Sequence, residues 1–254
     1  MYTLSVQKEI RTGISAAIRK TRNHQKFFAF PNLQERRAIE FSQHGVARRL
    51  DLVCQCAQDV FSAIPLSGTD IPSRKQRKKA ELALHGLFLH IFGCIDNIAW
   101  LLVIEKHIKR RNGKELASSQ IGFGEKCEIV RSTLSPETVK LLNEYKGWFS
   151  HLESYRHSLA HRIPLYIPPY CVDPKNEEQY RITQDEYWEC VRLGDHVGAD
   201  LADKKMHLLG HFKPFYVHSY GENAPTMLIH PQTTVDVMTL AMIFDAMRLE
   251  LARN

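Results

Sequence analysis

Apolar residues recur along most of the chain at helical rather than alternating spacing. Between residues 34 and 64, Ile39, Val46, Leu50, Val53, Ala57 and Val60 share one helix face, which predicts a first long helix. Pro65, Gly68 and Pro72 then break the chain into a loop. Ser73 reads as the N-cap of a second helix that continues to about Arg111, where Asn112-Gly113 stops it. Residues 114–134 are mixed. Their Gly122-Phe123-Gly124-Glu125-Lys126 lacks a third glycine, a preceding strand and a following Gly-Lys-Ser/Thr. It therefore reads as a linker opening a short helix rather than as a phosphate loop.

Ser135-Pro136-Glu137 supplies an N-cap, a proline at the first helical position and an acid in the first turn. A third helix is predicted from there to about Arg162, where Pro164 and then Pro168-Pro169 forbid continuation. Another helix is expected over 183–209. Segments 215–220 and 226–230 flank Gly221-Glu222-Asn223-Ala224-Pro225 as a small hairpin, and a last helix spans 234–252. The expectation is a mainly α fold: one helical domain over 1–254, a bundle with a small β-hairpin appended near 215–230, without an internal repeat.

One stretch also fits a membrane span. Residues 82–104 carry no Lys, Arg or Glu, a length that crosses a bilayer. His85, His90, Asp96 and Asn97 lie within it, and Asp near the middle of a span costs several kcal/mol, about 3 on an insertion scale. The stretch is read as the central helix of a bundle, covered by neighbours, and no membrane is expected as partner.

An apolar fraction of 44% and a charged fraction of 24% are those of an ordinary globular chain. The six cysteines contain no Cys-x-x-Cys pair, and residues 1–20 lack a signal-peptide apolar run. Both features predict free thiols and a cytoplasmic setting. Charge is uneven: residues 1–114 hold 20 Lys and Arg against 9 Asp and Glu, and residues 115–254 hold 14 against 19. Basic clusters at Arg19-Lys20-Thr21-Arg22, at Arg74, Lys75, Arg77, Lys78 and Lys79, and at Lys109, Arg110 and Arg111 read either as solvated helix ends or as contacts for a polyanion such as RNA.

The chemistry concentrates in Tyr155-Arg156-His157-Ser158-Leu159-Ala160-His161-Arg162, just before the proline-enforced helix end. Arginine can clamp a phosphate and stabilise charge developing on phosphorus. Histidine exchanges protons near neutral pH, and the negative end of the helix dipole favours its charged form. Positions 156 and 161 lie about 140° apart on an ideal helix, so they do not share a face. A deformed helix end, or a substrate lying across it, would be needed. His157 and His161 do share a face and form half of a zinc site, but Ser158 stands where a helical metalloprotease needs Glu, so no metal or other cofactor is expected. On residue types alone, the segment is equally a helix end whose cations bond free carbonyls.

Arg156-His157-Ser158-Leu159-Ala160-His161 resembles the signature of the HEPN superfamily, an arginine, a polar residue and a histidine four to six positions on. The signature closes a long helix, and an earlier apolar helix carries an acid and an amide, here Asp96 and Asn97. The resemblance covers mainly residues 73–170. It implies a HEPN-like core over about 34–170, with the helices and hairpin of 171–254 outside it. It also implies a homodimeric, metal-independent endoribonuclease of toxin–antitoxin, defence or RNA-processing type. Arg156 and His161 would be catalytic, and His157, Asp96 and Asn97 supporting. A non-catalytic RNA-binding or interaction module, controlled by an antitoxin or nucleotidyltransferase partner, is one alternative. A helical binder of a small phosphorylated ligand is another.

Overall fold

The computed structural model describes residues 2–68, 70–219 and 225–253. The fold is mainly helical with two small antiparallel two-stranded sheets, as the apolar spacing predicts. The chain opens with a helix that the spacing analysis did not single out, α1 (Leu4–Ala29), capped by the Thr3 hydroxyl accepting from Val6 N. The predicted first long helix is a continuous rod in three parts. These are α2 (Arg36–Glu40), a π-helical stretch (Phe41–Ala47) and α3 (Arg48–Ala63).

α4 (Arg74–Glu105) starts where Ser73 predicts. The Ser73 hydroxyl accepts from Gln76 N at 3.3 Å while Ser73 N donates to Gln76 Oε1 at 2.9 Å, a reciprocal capping box. It ends earlier than predicted. His107 adopts φ 50°, which turns the chain so that Ile108 folds back into the core, its N–H donating to Val103 O. Asn112-Gly113 serves instead as the turn of a small loop closed by a Lys109–Glu115 bridge.

After the short α5 (Glu128–Arg131), the predicted third helix is two: α6 (Pro136–Glu144), capped by Ser135, and α7 (Lys146–His161). They break at Tyr145, whose ψ of 12° leaves the helical region. The segment predicted as a helix over 183–209 is likewise a pair. α8 (Glu177–Leu193) and α9 (His196–Leu209) are separated by Gly194 at φ 72°, a left-handed cap that glycine adopts without steric cost. β1 (Cys171–Val172) and β2 (Gly210–His211) pair antiparallel at the base of this helical hairpin. The predicted β-hairpin is present as β3 (Phe215–Tyr216) paired with β4 (Met227–Leu228). Its turn, residues 220–224, lies outside the described residues. α10 (Ile229–Ala252) starts five residues before the predicted 234, because Pro231 sits in the first turn, where no N–H bond is needed.

α3 packs along α4, and α1 along α10, with α7 across α4. Leu50, Leu84, Leu87, Phe88, Ile91, Ile98 and Leu101 are fully buried between them, and Phe28 meets Phe244 edge-on at 5.4 Å between centroids. α4 is, among the described residues, the one helix long and apolar enough to cross a membrane; here it forms the centre of the bundle core.

Candidate active site

The local sequence of α7 sorts its side chains onto two faces. Trp148, Leu152, Tyr155 and Ser158 recur at helical spacing and are buried against the bundle. Arg156, His157 and His161 point away from that face. The helix stays α-helical through His161, and Arg162 N still donates to Ser158 O at 3.1 Å. The expected deformation is therefore absent within α7. Arg156 and His161 remain separated by about 140° and roughly 7.5 Å of rise.

Arg156 is half-buried, its guanidinium 4.8 Å above the ring centroid of Phe92 on α4. A cation over an aromatic face is held electrostatically as well as by packing. Asp96 lies one turn beyond Phe92 on the same side of α4. Burial raises its pKa, while the charges of Arg156 and, more weakly, Arg49 pull it down. Asp96 forms no direct ion pair, so the expected neighbourhood of Asp96 and Arg156 is present as longer-range attraction. Asn97 faces elsewhere. Its amide covers Gly45 of the π-helical stretch so closely that a methyl group there would sit 2.8 Å from Nδ2.

His157 is exposed, with Nε2 3.7 Å from Glu153 Oε1, and His161 is exposed with its ring 6.3 Å from that of His157. Among the described residues, no group of three or more His, Cys, Asp or Glu could hold a metal ion.

Arg49, which the sequence did not mark, joins this neighbourhood from α3. Its guanidinium rests on Gly93, where any Cβ would clash, and Nη1 lies 3.4 Å from His90 Nδ1. A glycine inside an apolar helix, facing an arginine of the preceding helix, was the available signal.

Beside Phe92 opens a cavity of about 500 Å³, walled by Phe92, Asp96, Phe123, Gly124, Phe149 and Glu153 among others. The Gly122–Lys126 linker forms one wall and opens α5 as expected. At this cavity Lys146 bonds Glu125 at 2.7 Å. Such a volume is in the range of small-ligand pockets.

The basic residues do not converge on this site. Arg74, Lys75, Arg77, Lys78 and Lys79 occupy the first two turns of α4, whereas Lys109, Arg110 and Arg111 follow its far end, about 48 Å away along a helix of that length. Arg77 donates to Pro72 O at 2.5 Å, Lys109 pairs with Glu115 at 3.0 Å, and Arg110 donates to Gln120. Arg74, Lys75, Lys78, Lys79 and Arg111 are exposed.

The inner face of α7 meets a buried polar cluster that no local pattern announces. Trp148 Nε1 donates to Asp236 Oδ1 at 2.9 Å, and Gln232 Nε2 donates to the same oxygen at 2.8 Å. Burial pushes the Asp236 carboxyl up to about 7. Tyr155 stacks on Phe88 and meets Tyr216, His218 and His151 at 4.8–5.3 Å between centroids. Burial lowers His151 to about 4. Asp236 Oδ2, Tyr216 Oη, Thr233 Oγ1, His151 Nε2 and His218 Nδ1 have no hydrogen-bond partner.

No protein-family model, no curated protein and no solved structure matches this chain.

Proposed function

We propose that the chain is a metal-independent endoribonuclease of the cytoplasm, acting as a homodimer in which Arg156 of one copy and His161 of the other meet one phosphodiester. The observation that carries this reading is the seat of Arg156: a permanently charged guanidinium held on Phe92 beside Asp96, with two exposed imidazoles on the same helix end. Because α7 is regular, the pair is poorly placed to cooperate within one chain, and a second copy resolves the misfit. In the step proposed, the 2′-hydroxyl attacks phosphorus as the 5′-oxygen leaves. His161 takes the hydroxyl proton or protonates the leaving oxygen, and Arg156 stabilises the charge on the non-bridging oxygens. The products are a 2′,3′-cyclic phosphate and a 5′-hydroxyl. His157, Asp96 and Asn97 support the site. The basic ends of α4 hold flanking RNA, and an antitoxin or nucleotidyltransferase partner would control access.

Incubation of the purified protein with mixed RNA in excess chelator tests the reading. Cleavage that survives chelation and falls about 10²–10⁴-fold in both Arg156→Ala and His161→Ala supports it. Equal cleavage by all three proteins, or none by the wild type, overturns it.

A second reading has its own observation, the cavity beside Phe92 and Asp96. There the chain would bind a small phosphorylated ligand within one protomer, with Arg156 at the mouth as anion clamp. Saturable binding of a mononucleotide by a monomer, without RNA cleavage, would favour it.

A further inference from the structure

The α8–α9 hairpin stands outside the bundle core. None of its residues belongs to the main apolar cluster, and its own seam buries little beyond Thr183 on α8 and Ala199, Ala202 and Met206 on α9. It is tied to the rest at its base, by the β1–β2 ladder, by Asn176 donating to Leu209 O, and by Tyr170, which meets Tyr180 and His207. Two helices with so small a shared interior do not hold themselves together by burial, since helices of this length draw most of their stability from packing.

The exposed side of the hairpin is patterned. On α8, Ile182, Glu186, Glu189 and Leu193 follow 4-3-4 spacing; on α9, Val197, Leu201, Lys204 and Leu208 do the same. That spacing keeps each set on one helix side, as in a packed helix pair. The two stripes border each other, because Lys205, one residue from the α9 stripe, reaches Glu186 of the α8 stripe at 3.5 Å. Leu193, Val197 and Leu208 are each more than 70% exposed, and Ile182 and Leu201 are also open. The five apolar side chains present roughly 600 Å² per chain, against the ~800 Å² per partner of a standard interface that is itself only partly apolar. The α8 stripe is acidic at its centre and the α9 stripe basic.

We infer that this face binds the same face of a second copy, α8 of each chain against α9 of the other, closing a two-fold four-helix bundle. Glu186 and Glu189 then meet Lys204 and Lys205 of the second copy at both ends of the two-fold, which is the self-complementarity an isologous contact requires. The inference supplies the surface for the dimer invoked under the proposed function. Association is read without substrate, so the two fail separately. A monomer overturns the pairing whatever RNA does, and a dimer that leaves RNA intact overturns only the nuclease.

The test is light scattering of the full chain after size exclusion at about 20 µM. A dimer is expected. Leu193→Glu and Leu201→Glu should each weaken it at least 100-fold with helix content by circular dichroism unchanged. Trp188→Glu, exposed on the other flank of α8, should leave it dimeric. A chain carrying Glu186→Lys and Glu189→Lys, and another carrying Lys204→Glu and Lys205→Glu, should each be monomeric alone and form heterodimers when mixed. A monomeric wild type, dimers that survive both leucine changes, or charge-swapped chains that do not recombine would each overturn the inference.

Discussion

Replacing Asp236 by Asn isolates the energetic consequence of the carboxyl buried under α7. Both Trp148 and Gln232 donate to Oδ1, and Oδ2 has no partner, so burial dominates and raises the pKa from 3.8 to about 7. A carboxyl whose folded pKa lies above its unfolded value binds more protons folded than unfolded. Stability therefore falls as pH rises from about 4 to about 7 and is level above. Three pKa units correspond to about 4 kcal/mol in all, of which about 3 kcal/mol falls between pH 5 and pH 9. His151 acts in the opposite sense. Its folded pKa of about 4 makes stability rise with pH up to about 6.5, masking the Asp236 slope in the wild type alone. The difference between wild type and Asp236→Asn removes that contribution. Urea unfolding of both proteins at pH 5 and pH 9 should show the Asn variant gaining about 3 kcal/mol on the wild type between the two. Its offset at pH 5 reflects the new amide NH₂, which must find an acceptor near Tyr216 or cost about 1–3 kcal/mol. A difference that is the same at both pH values would refute the assignment of a protonated Asp236.

Two further outcomes follow from the packing. Phe88→Ala removes a fully buried ring stacked on Tyr155 at 4.7 Å, and should cost about 3–5 kcal/mol in equilibrium unfolding while loosening α7 from α4. Glu250, buried, accepts from Ser135 N and Oγ and from Thr138 Oγ1, and these bonds hold its pKa down against desolvation. Its contribution is present above the unfolded carboxyl range and lost as pH falls through the lowered value. Glu250→Gln should therefore be destabilised by about 1–3 kcal/mol at pH 7, and by less at pH 3, in thermal unfolding.

Much of the frame was legible because it depends on short-range chemistry. Ser73 and Ser135 announce their helices through side chains that reach only three residues, and the pairing of β3 with β4 joins segments eleven residues apart. α1 was legible but passed over: Ile10, Ile14, Ala17, Thr21, His24 and Phe28 keep helical spacing, yet Thr and His interrupt its apolar character. Gly194 carried a stop signal that the periodic residues on either side obscured, whereas Tyr145 has no side-chain feature that marks a break. At the site, Asp96 and Arg156 were named from sequence and the fold sets them near each other. Which way Asn97 turns depends on its contact with Gly45, 52 residues earlier. The cluster under α7 draws Trp148, Tyr155, Tyr216, His218 and Asp236 from three segments. Each is an ordinary residue in its own neighbourhood, and only tertiary contact makes it chemically distinct.

The central claim, that Arg156 and His161 act from different copies, is tested most directly by mixing Arg156→Ala and His161→Ala proteins under conditions where subunits exchange. Each alone should be inactive. A heterodimer rebuilds one complete site of two, and heterodimers are half of a random mixture. Chelator-resistant RNA cleavage should therefore recover to about a quarter of the wild-type rate. Heterodimers that form, by mass spectrometry of the intact assembly, but recover no cleavage would contradict a site shared between copies.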